Sequence, residues 1–271
     1  MEQSRRILSA VVVLPPLVLF LAYASLELFL LLVCSMMGMG LYEYFRLMPF
    51  KQSPVCVGMS YAIAFSLALS AYLGGMLWMP LTLSLSIMAL TMSVIVTAGP
   101  SSPPFPMLLH SLFGIILIGW GLSHLILLRS FAGGKWYILL LCVVIWVGDA
   151  SAMYIGQSLG RHHMAPTISP GKTWEGAVGG VLSCLLAAAL GSHILVPDLS
   201  LRQSLVFGLL ISLAAQLSDL GESMLKRYAG VKDSGALIPG HGGVLDRIDS
   251  LFFAAPLAFY MLNFLTILSA P

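Results

Sequence analysis

Charged residues are scarce in this sequence. Only 9% of its 271 residues are Asp, Glu, Lys or Arg, whereas 59% are hydrophobic. So few charges cannot solvate the surface of a soluble globule of this size. The net charge is only +2 and the chain has no lysine- or arginine-rich tract, which argues against nucleic-acid binding. The composition therefore predicts a polytopic membrane protein whose surroundings are a lipid bilayer.

Cysteine is scarce as well, and its spacing excludes two kinds of site. The four cysteines lie singly within apolar runs, without the paired spacing of a zinc site or a redox pair. We expect them to be small buried hydrophobic residues.

Apolar runs dominate the rest of the chain. A span needs about 17 to 25 predominantly apolar residues to cross ~30 Å of hydrocarbon. Such runs lie near residues 7–24, 26–45, 55–73, 76–97, 107–128, 136–157, 174–196, 203–219 and 250–269. The first run resembles a secretory signal, but a second run follows almost at once, so we expect a retained span. The predicted fold is all-α, with about nine transmembrane helices.

The positions of lysine and arginine predict the orientation. With nine spans, ten of these residues share one side of the membrane, and Arg129, Lys135 and Arg202 take the other. The side richer in lysine and arginine is normally cytoplasmic. We therefore expect a cytoplasmic N-terminus and an outside C-terminus, in a bacterial-type inner membrane.

Acidic residues divide the chain into two parts. Only three of the eleven precede residue 149. We therefore interpret residues 1–135 as scaffold spans and residues 136–271 as a catalytic region whose polar site faces the cytoplasm. Both parts belong to one continuous membrane domain.

Two acidic helix ends flank a glycine-rich stretch near the end of the chain. Asp219, Glu222, Ser223 and Lys226 recur at i, i+3, i+4 and i+7, which places them on one helix face. Asp246, Asp249 and Ser250 repeat part of that spacing where the ninth span begins. Carboxylates gathered at membrane depth repel one another and require a cation, and oxygen ligands suit Mg²⁺. The alternative is a set of structural ion pairs, Asp219 with Lys226 or Arg227 and Asp246 or Asp249 with Arg247.

The loop between these ends, "GALIPGHGGVLD", favours a phosphate site. Its glycines, Gly242 and Gly243 among them, leave backbone N–H groups open to an anion. Several basic residues surround it: Lys226, Arg227, Lys232 and Arg247. The combination predicts a metal-assisted phosphate site.

A second polar region covers residues 146–176. Asp149 shares a helix face with Gly156 and Gly160, whose small-xxx-small spacing favours close helix packing. An acid this deep is a candidate functional residue, although it could also cap or bond a neighbouring helix. The Gly171-Lys172-Thr173 sequence is not a P-loop, because position 166 is Pro where that motif requires Gly. Lys172 either helps a helix N-terminus to hold a phosphate or marks the membrane boundary.

The run "SMLKRYAGVKDSGALIPGHGGVLDRID" resembles, nearly residue for residue, the signature of the phosphatidate cytidylyltransferases, also called CDP-diacylglycerol synthases. The segments "WVGDASAMYIGQSLGR" and "SPGKTWEG" are similar to a second region of that family. The resemblance covers about the last 130 residues. Gly171 stands where the family pattern has another basic or polar residue, so a substrate contact is not expected there.

The resemblance implies a reaction in which CTP and phosphatidate give CDP-diacylglycerol and pyrophosphate. It implies Mg²⁺ held by Asp219 and Asp246, with K⁺ beside it in some members. The implied catalytic residues are Lys226, Arg227, Lys232, Asp233, His241, Asp246, Arg247 and Asp249. The expected substrate-binding residues are Asp149, Lys172, Ser223, Gly242 and Gly243. The expected partners are CTP, phosphatidate, bilayer lipid and a second copy of the chain in a homodimer.

Three alternatives remain at this point. A related enzyme could activate another lipid phosphate or use another nucleotide, because residues that bind the phosphates do not distinguish one nucleobase from another. A secondary transporter also places acids inside the membrane, although no internal repeat is evident here. A catalytically idle lipid-binding protein would bind CTP without releasing pyrophosphate.

Overall fold

A computed structural model describes residues 14–49, 52–97, 103–235 and 242–269. Helices make up most of this part of the chain. Their bounds are α1 (described over Leu14–Tyr23), α2 (Leu26–Arg46), α3 (Pro54–Thr97), α4 (Pro104–Gly114), α5 (Gly121–Arg129), α6 (Gly134–Leu159), α7 (Trp174–Leu195), α8 (Leu201–Tyr228), α9 (Leu245–Ile248) and α10 (Leu251–Ser269). A π-helical segment, Ile115–Trp120, joins α4 to α5.

The apolar helices confirm a multi-pass α-helical membrane protein. Within the described residues, seven helical stretches are long and apolar enough to cross a bilayer. One of them, α3, is 44 residues long and breaks at Gly75, whose φ of 61° and ψ of −148° lie outside the helical region. The break lies between the runs predicted at 55–73 and 76–97. The shorter helix α1 lies within the predicted first run, so the total of nine spans and the orientation of the termini stay predictions.

A small β-hairpin interrupts the helical pattern and departs from the all-α prediction. Strand β1 (His163–Ala165) pairs antiparallel with β2 (Ser169–Thr173), and the hairpin lies between α6 and α7. Its segment is short and polar, without the alternation that identifies a strand in a sequence. The hairpin brings Lys172 to the start of α7.

Polar side chains and backbone groups fix several helix ends. Thr173 caps α7 by accepting a hydrogen bond from Gly176 N at 3.2 Å. Ser200 and Gln203 form a reciprocal capping box at the start of α8. The guanidinium of Arg129 donates to the carbonyls of Leu21 and Ala24, at 2.8 and 2.6 Å. These contacts satisfy backbone groups that a helix end otherwise leaves without partners.

Helices α6 and α7 pack closely because small residues line both faces. A Cβ at Gly176 would lie 2.6 Å from the carbonyl oxygen of Ala152, and one at Gly180 would lie 3.1 Å from the Ala152 Cβ. Gly156 faces Thr173 and Gly176, so the predicted close packing of its helix face is confirmed. The tight contact sets the distance between Asp149 on α6 and the residues at the start of α7.

Candidate active site

Six of the predicted site residues line one polar cavity of about 380 Å³. Helix α6 contributes Asp149 and β2 contributes Lys172, while α8 contributes Asp219 and Lys226. The short helix α9 and its C-cap contribute Asp246 and Asp249. The cavity therefore gathers four carboxylates and two ammonium groups from segments up to about 100 residues apart in the chain.

Three carboxylates form the most acidic part of this region. One oxygen from each of Asp219, Glu222 and Asp249 lies within 4.8 Å of the others. Glu222 is 1% exposed, and the partner of its carboxylate among the described residues is the Lys226 ammonium. Like charges this close in a buried place call for a cation, and an all-oxygen donor set suits Mg²⁺. The donor chemistry therefore fits the predicted metal.

Lys226 supplies one positive charge to this acidic region. Its ammonium forms ion pairs with Glu222, four residues earlier on α8, and with Asp246 Oδ1 at 2.7 Å. The Lys226 side chain is 14% exposed, so both pairs are shielded from bulk water. One positive charge thus joins the α8 acids to the start of α9.

Asp246 accepts hydrogen bonds from several donors in addition to its ion pair with Lys226. Besides Lys226, it accepts from Ser234 N at 3.1 Å, Ser234 Oγ at 2.9 Å and Gly243 N at 2.9 Å. Asp246 lies outside the three-carboxylate group but lines the same cavity. Its predicted role as a metal ligand with Asp219 stays a prediction.

Lys172 pairs across the cavity with Asp219, its Nζ 2.7 Å from Oδ2. The sequence had suggested Lys226 or Arg227 as the partner of Asp219 in a purely structural arrangement. The β-hairpin explains the difference, because it carries Lys172 over the C-terminal half of α8. The two side chains are 23% and 36% exposed, and both line the cavity.

Asp149 and Asp249 are linked by Ser250, the residue before α10. The Ser250 hydroxyl lies 3.5 Å from Asp149 Oδ2 and 3.3 Å from Asp249 Oδ1. Asp249 also accepts from Ser250 N at 2.6 Å, and Ser218 of α8 donates to its carbonyl oxygen. The bond from Ser218 holds the backbone of Asp249 beside α8.

The remaining predicted residues lie outside the set that lines the described cavity. Arg227 donates to the carbonyls of Ile168 and Val231, at 3.0 and 3.1 Å, and so joins α8 to the β-hairpin. Ser223 is buried within α8. Four charged residues of this group are exposed, namely Arg227, Lys232, Asp233 and Arg247. His241 lies outside the described residues.

The two glycines of the predicted phosphate loop have different surroundings. Gly242 has a φ of +80°, which L side chains rarely adopt, so its backbone requires glycine. The N–H of Gly243 donates to Asp246. The expectation that Gly243 keeps this group open for an anion is wrong, because the neighbouring carboxylate already accepts it.

Sequence reasoning missed one buried acid, Glu43 of α2. Its carboxylate is 1% exposed and accepts hydrogen bonds from Ser234, Val244 and Leu245. These partners lie about 190 to 200 residues away in the chain, so no local spacing could identify them. Only the rarity of an acid in an apolar run distinguished this position.

An apolar groove of about 340 Å³ adjoins the polar cavity. It lies between α7 and α8 and shares Met164, Ala177 and Gln216 with that cavity. Its other walls are apolar side chains, including Trp174, Val178, Val181, Leu213, Leu217 and Leu220. The polar cavity therefore adjoins an apolar groove whose side chains are suited to contact with a lipid acyl chain.

Comparison with known proteins identifies the relationship. A sequence model described as the cytidylyltransferase family matches residues 4–265. The chain belongs to this family. As a cytidylyltransferase-family member it is also similar to proteins named phosphatidate cytidylyltransferase, as the sequence motif predicted. It is 42% identical over 135 residues to the protein of Haemophilus influenzae, 41% over 148 residues to that of Bacillus subtilis, and 41% over 162 residues to that of Rickettsia bellii.

The matched regions are shorter than the proteins compared. They cover 48%, 54% and 57% of this chain, and 47%, 55% and 69% of the three relatives in the same order. The chain thus spans about half the length of most of these curated relatives.

Proposed function

We propose that this chain transfers the cytidylyl group of CTP to phosphatidate, forming CDP-diacylglycerol and pyrophosphate. A phosphate oxygen of phosphatidate attacks the α-phosphorus of CTP and forms the new P–O bond. The bond between the α-phosphorus and the oxygen that bridges to the β-phosphate breaks, and pyrophosphate leaves with that electron pair. The attacking phosphate is already anionic near neutral pH, so this step needs no strong general base.

One observation supports this proposal above the others: a cavity with two lysines and four carboxylates continues into an apolar groove. The reaction joins a soluble nucleotide to a lipid, so its site needs both kinds of surface. We infer that the headgroup of phosphatidate enters the polar cavity and that an acyl chain lies along the α7–α8 groove.

The cations of the cavity would neutralise phosphate charge. Lys226 and Lys172 are the two ammonium groups that line it, and both pair with carboxylates of α8. Charge neutralisation and positioning supply most of the rate enhancement in phosphoryl-transfer chemistry. Arg227, Lys232 and Arg247 are proposed to assist from the rim, with Asp233 orienting them.

Magnesium is the proposed cofactor, with Asp219 as its central ligand. The geometry groups Asp219 with Glu222 and Asp249, whereas the family resemblance pairs it with Asp246. When bound, the ion would supply Lewis-acid neutralisation of phosphate oxygens. Asp149 and Ser250 are proposed to hold Asp249 in place, and a second cation such as K⁺ is proposed to share the acids.

The orientation of the site follows from the same proposal. CTP is a cytoplasmic solute, so the cavity must open to the cytoplasm, in agreement with the lysine and arginine distribution. We propose the inner membrane of a bacterial-type cell as the location and a homodimer as the assembly.

Pyrophosphate release measures the proposed activity directly. Purified protein would be given each of the four common ribonucleoside triphosphates, with and without phosphatidate and Mg²⁺. We expect release only with CTP, phosphatidate and Mg²⁺ together. Release without phosphatidate, or equal release from all four nucleotides, would reject the proposal. Transport into proteoliposomes without CTP consumption would instead favour a transporter.

A further inference from the structure

A buried carboxylate on the N-terminal half of the chain contacts the segment that carries Asp246. Glu43 lies in the last turn of α2, where a negative charge is unfavourable because the helix dipole is negative at that end. It is 1% exposed and therefore also loses hydration. Strong hydrogen bonds are needed to keep an acid in such a place.

Three donors surround this carboxylate. Leu245 N donates to Oε2 at 2.7 Å and Val244 N donates to Oε1 at 3.0 Å. The hydroxyl of Ser234 lies 3.1 Å from Oε2. Two of the donors thus belong to the residues immediately before Asp246, and the third lies on the other side of the glycine-rich loop.

Ser234 connects Glu43 to Asp246 through one hydroxyl group. Its Oγ lies 3.1 Å from Glu43 and 2.9 Å from Asp246 Oδ2. A hydroxyl has a single proton to donate, so the two carboxylates share it. A change at Glu43 therefore alters the hydrogen bonding of Asp246 directly.

The glycines on either side of the loop are explained by this contact. A Cβ at Gly235 would lie 2.5 Å from Glu43 Oε1, and a Cβ at Gly243 would lie 2.5 Å from Glu43 Oε2. A real Cβ does not tolerate such distances. Gly235 leaves room for the carboxylate of Glu43, and Gly243 leaves room for both that carboxylate and the Ser234 hydroxyl, which the sequence pattern alone could not indicate.

We propose that Glu43 is a positioning residue for the reaction: it fixes the backbone at residues 244–245 and, through Ser234, orients the Asp246 carboxylate toward Lys226. Asp246 Oδ1 lies 2.7 Å from the Lys226 ammonium, so the orientation of the carboxylate affects where that ammonium lies in the cavity. The inference rests on the proposed cytidylyl transfer. It assigns to the first half of the chain a part in the site that the acidic motifs of the second half do not reveal.

Glu43→Gln tests the role with minimal change in shape. A glutamine side chain has one acceptor oxygen, so either Val244 N or Leu245 N loses its acceptor whichever way the amide is turned. We expect kcat to fall by roughly 10- to 100-fold, since one buried donor is left without a partner and Asp246 shifts. The KM for phosphatidate should stay within about threefold, because the apolar groove is unchanged.

Hydrogen exchange provides a readout that does not depend on activity. The amides of Val244 and Leu245 should exchange faster in the Glu43→Gln protein than in the wild type, while amides of the α6–α7 contact remain unchanged. Glu27→Gln is the matched control, since Glu27 is an exposed acid on the same helix and its partners among the described residues are the side chains of Ser25 and Tyr72 and the local backbone. It should leave kcat and exchange at the wild-type values.

Ser234→Ala keeps the inference testable if the Glu43 variant does not fold. It should lower kcat in the same direction, because it removes the hydroxyl that joins Glu43 to Asp246. Where both single variants fold, the double variant should lose less than the product of the two single losses, because both act through Asp246. Wild-type kcat and unchanged exchange in Glu43→Gln would overturn the positioning role. An inactive wild-type protein would reject the proposed function instead, and the exchange experiment would still decide whether Glu43 holds residues 244–245.

Discussion

Asp246→Asn changes one atom of a carboxylate that pairs with Lys226 and accepts hydrogen bonds from Ser234 and Gly243. Oδ1 faces the ammonium of Lys226 at 2.7 Å, and Oδ2 faces Ser234 N at 3.1 Å and Gly243 N at 2.9 Å. An asparagine must place its NH₂ group against one of these two sets of donors. The smaller loss is on the Oδ1 side, where Lys226 keeps its ion pair with Glu222.

The magnitude follows from the bonds lost. One charge-assisted hydrogen bond, worth about 1.5–3 kcal/mol, disappears from a partly buried place. The protein keeps the Ser234 and Gly243 contacts, so we expect it to fold and to melt only a few degrees lower. Catalysis should suffer more, by roughly 10²–10³-fold in kcat, which is the usual cost of removing one preorganised electrostatic contact.

The assay is CTP-dependent formation of CDP-diacylglycerol by detergent-solubilised protein, measured beside its thermal melting. Asp198→Asn is a suitable control, because Asp198 is an exposed acid in the turn between α7 and α8. Turnover within about threefold of the wild type, in a variant that folds, would show that Asp246 neither binds metal nor orients Lys226, and the reasoning would be refuted.

Further variants probe the other parts of the site. Lys172→Met should raise the KM for CTP by about tenfold or more, since it removes one of the two ammonium groups that line the cavity, and steady-state kinetics would measure this. Val181→Trp should fill the α7–α8 groove and reduce activity on long-chain phosphatidate but not on a short-chain analogue, whereas Leu186→Trp, on the same helix outside the groove, should affect neither. Gly176→Val should lower the melting temperature strongly, because its side chain would overlap α6 and cost about 1–3 kcal/mol; Gly58→Val, which has open space, should not. Equal effects of the Val181 or Gly176 variant and its control, or an unchanged KM for CTP in Lys172→Met, would contradict these assignments.

Much of the fold could be predicted because each membrane span is a continuous apolar stretch of the sequence. Each predicted apolar run overlaps a helix, since a bilayer requires long uninterrupted apolar segments. The break at Gly75 falls in the gap between the predicted runs 55–73 and 76–97. The π-helical segment Ile115–Trp120 was not predicted, because it lies inside one continuous apolar run.

The site was predictable where its residues share one helix. The spacing of Asp219, Glu222 and Lys226 correctly placed them together on α8. The pairing of Lys172 with Asp219 was not evident, because it depends on a β-hairpin that brings residue 172 across the helix. Glu43 was missed for a similar reason: its partners are distant in the chain, and the glycines that accommodate it are also typical of phosphate loops.

The central claim is that divalent metal and CTP meet at the carboxylates around Asp219. Anomalous diffraction from crystals soaked with Mn²⁺ and a non-hydrolysable CTP analogue tests this most directly. We expect an anomalous peak about 2.1 Å from an oxygen of Asp219, with the nucleotide phosphates beside it. A nucleotide bound in the cavity without a metal peak there, or a metal peak away from Asp219, would contradict the claim.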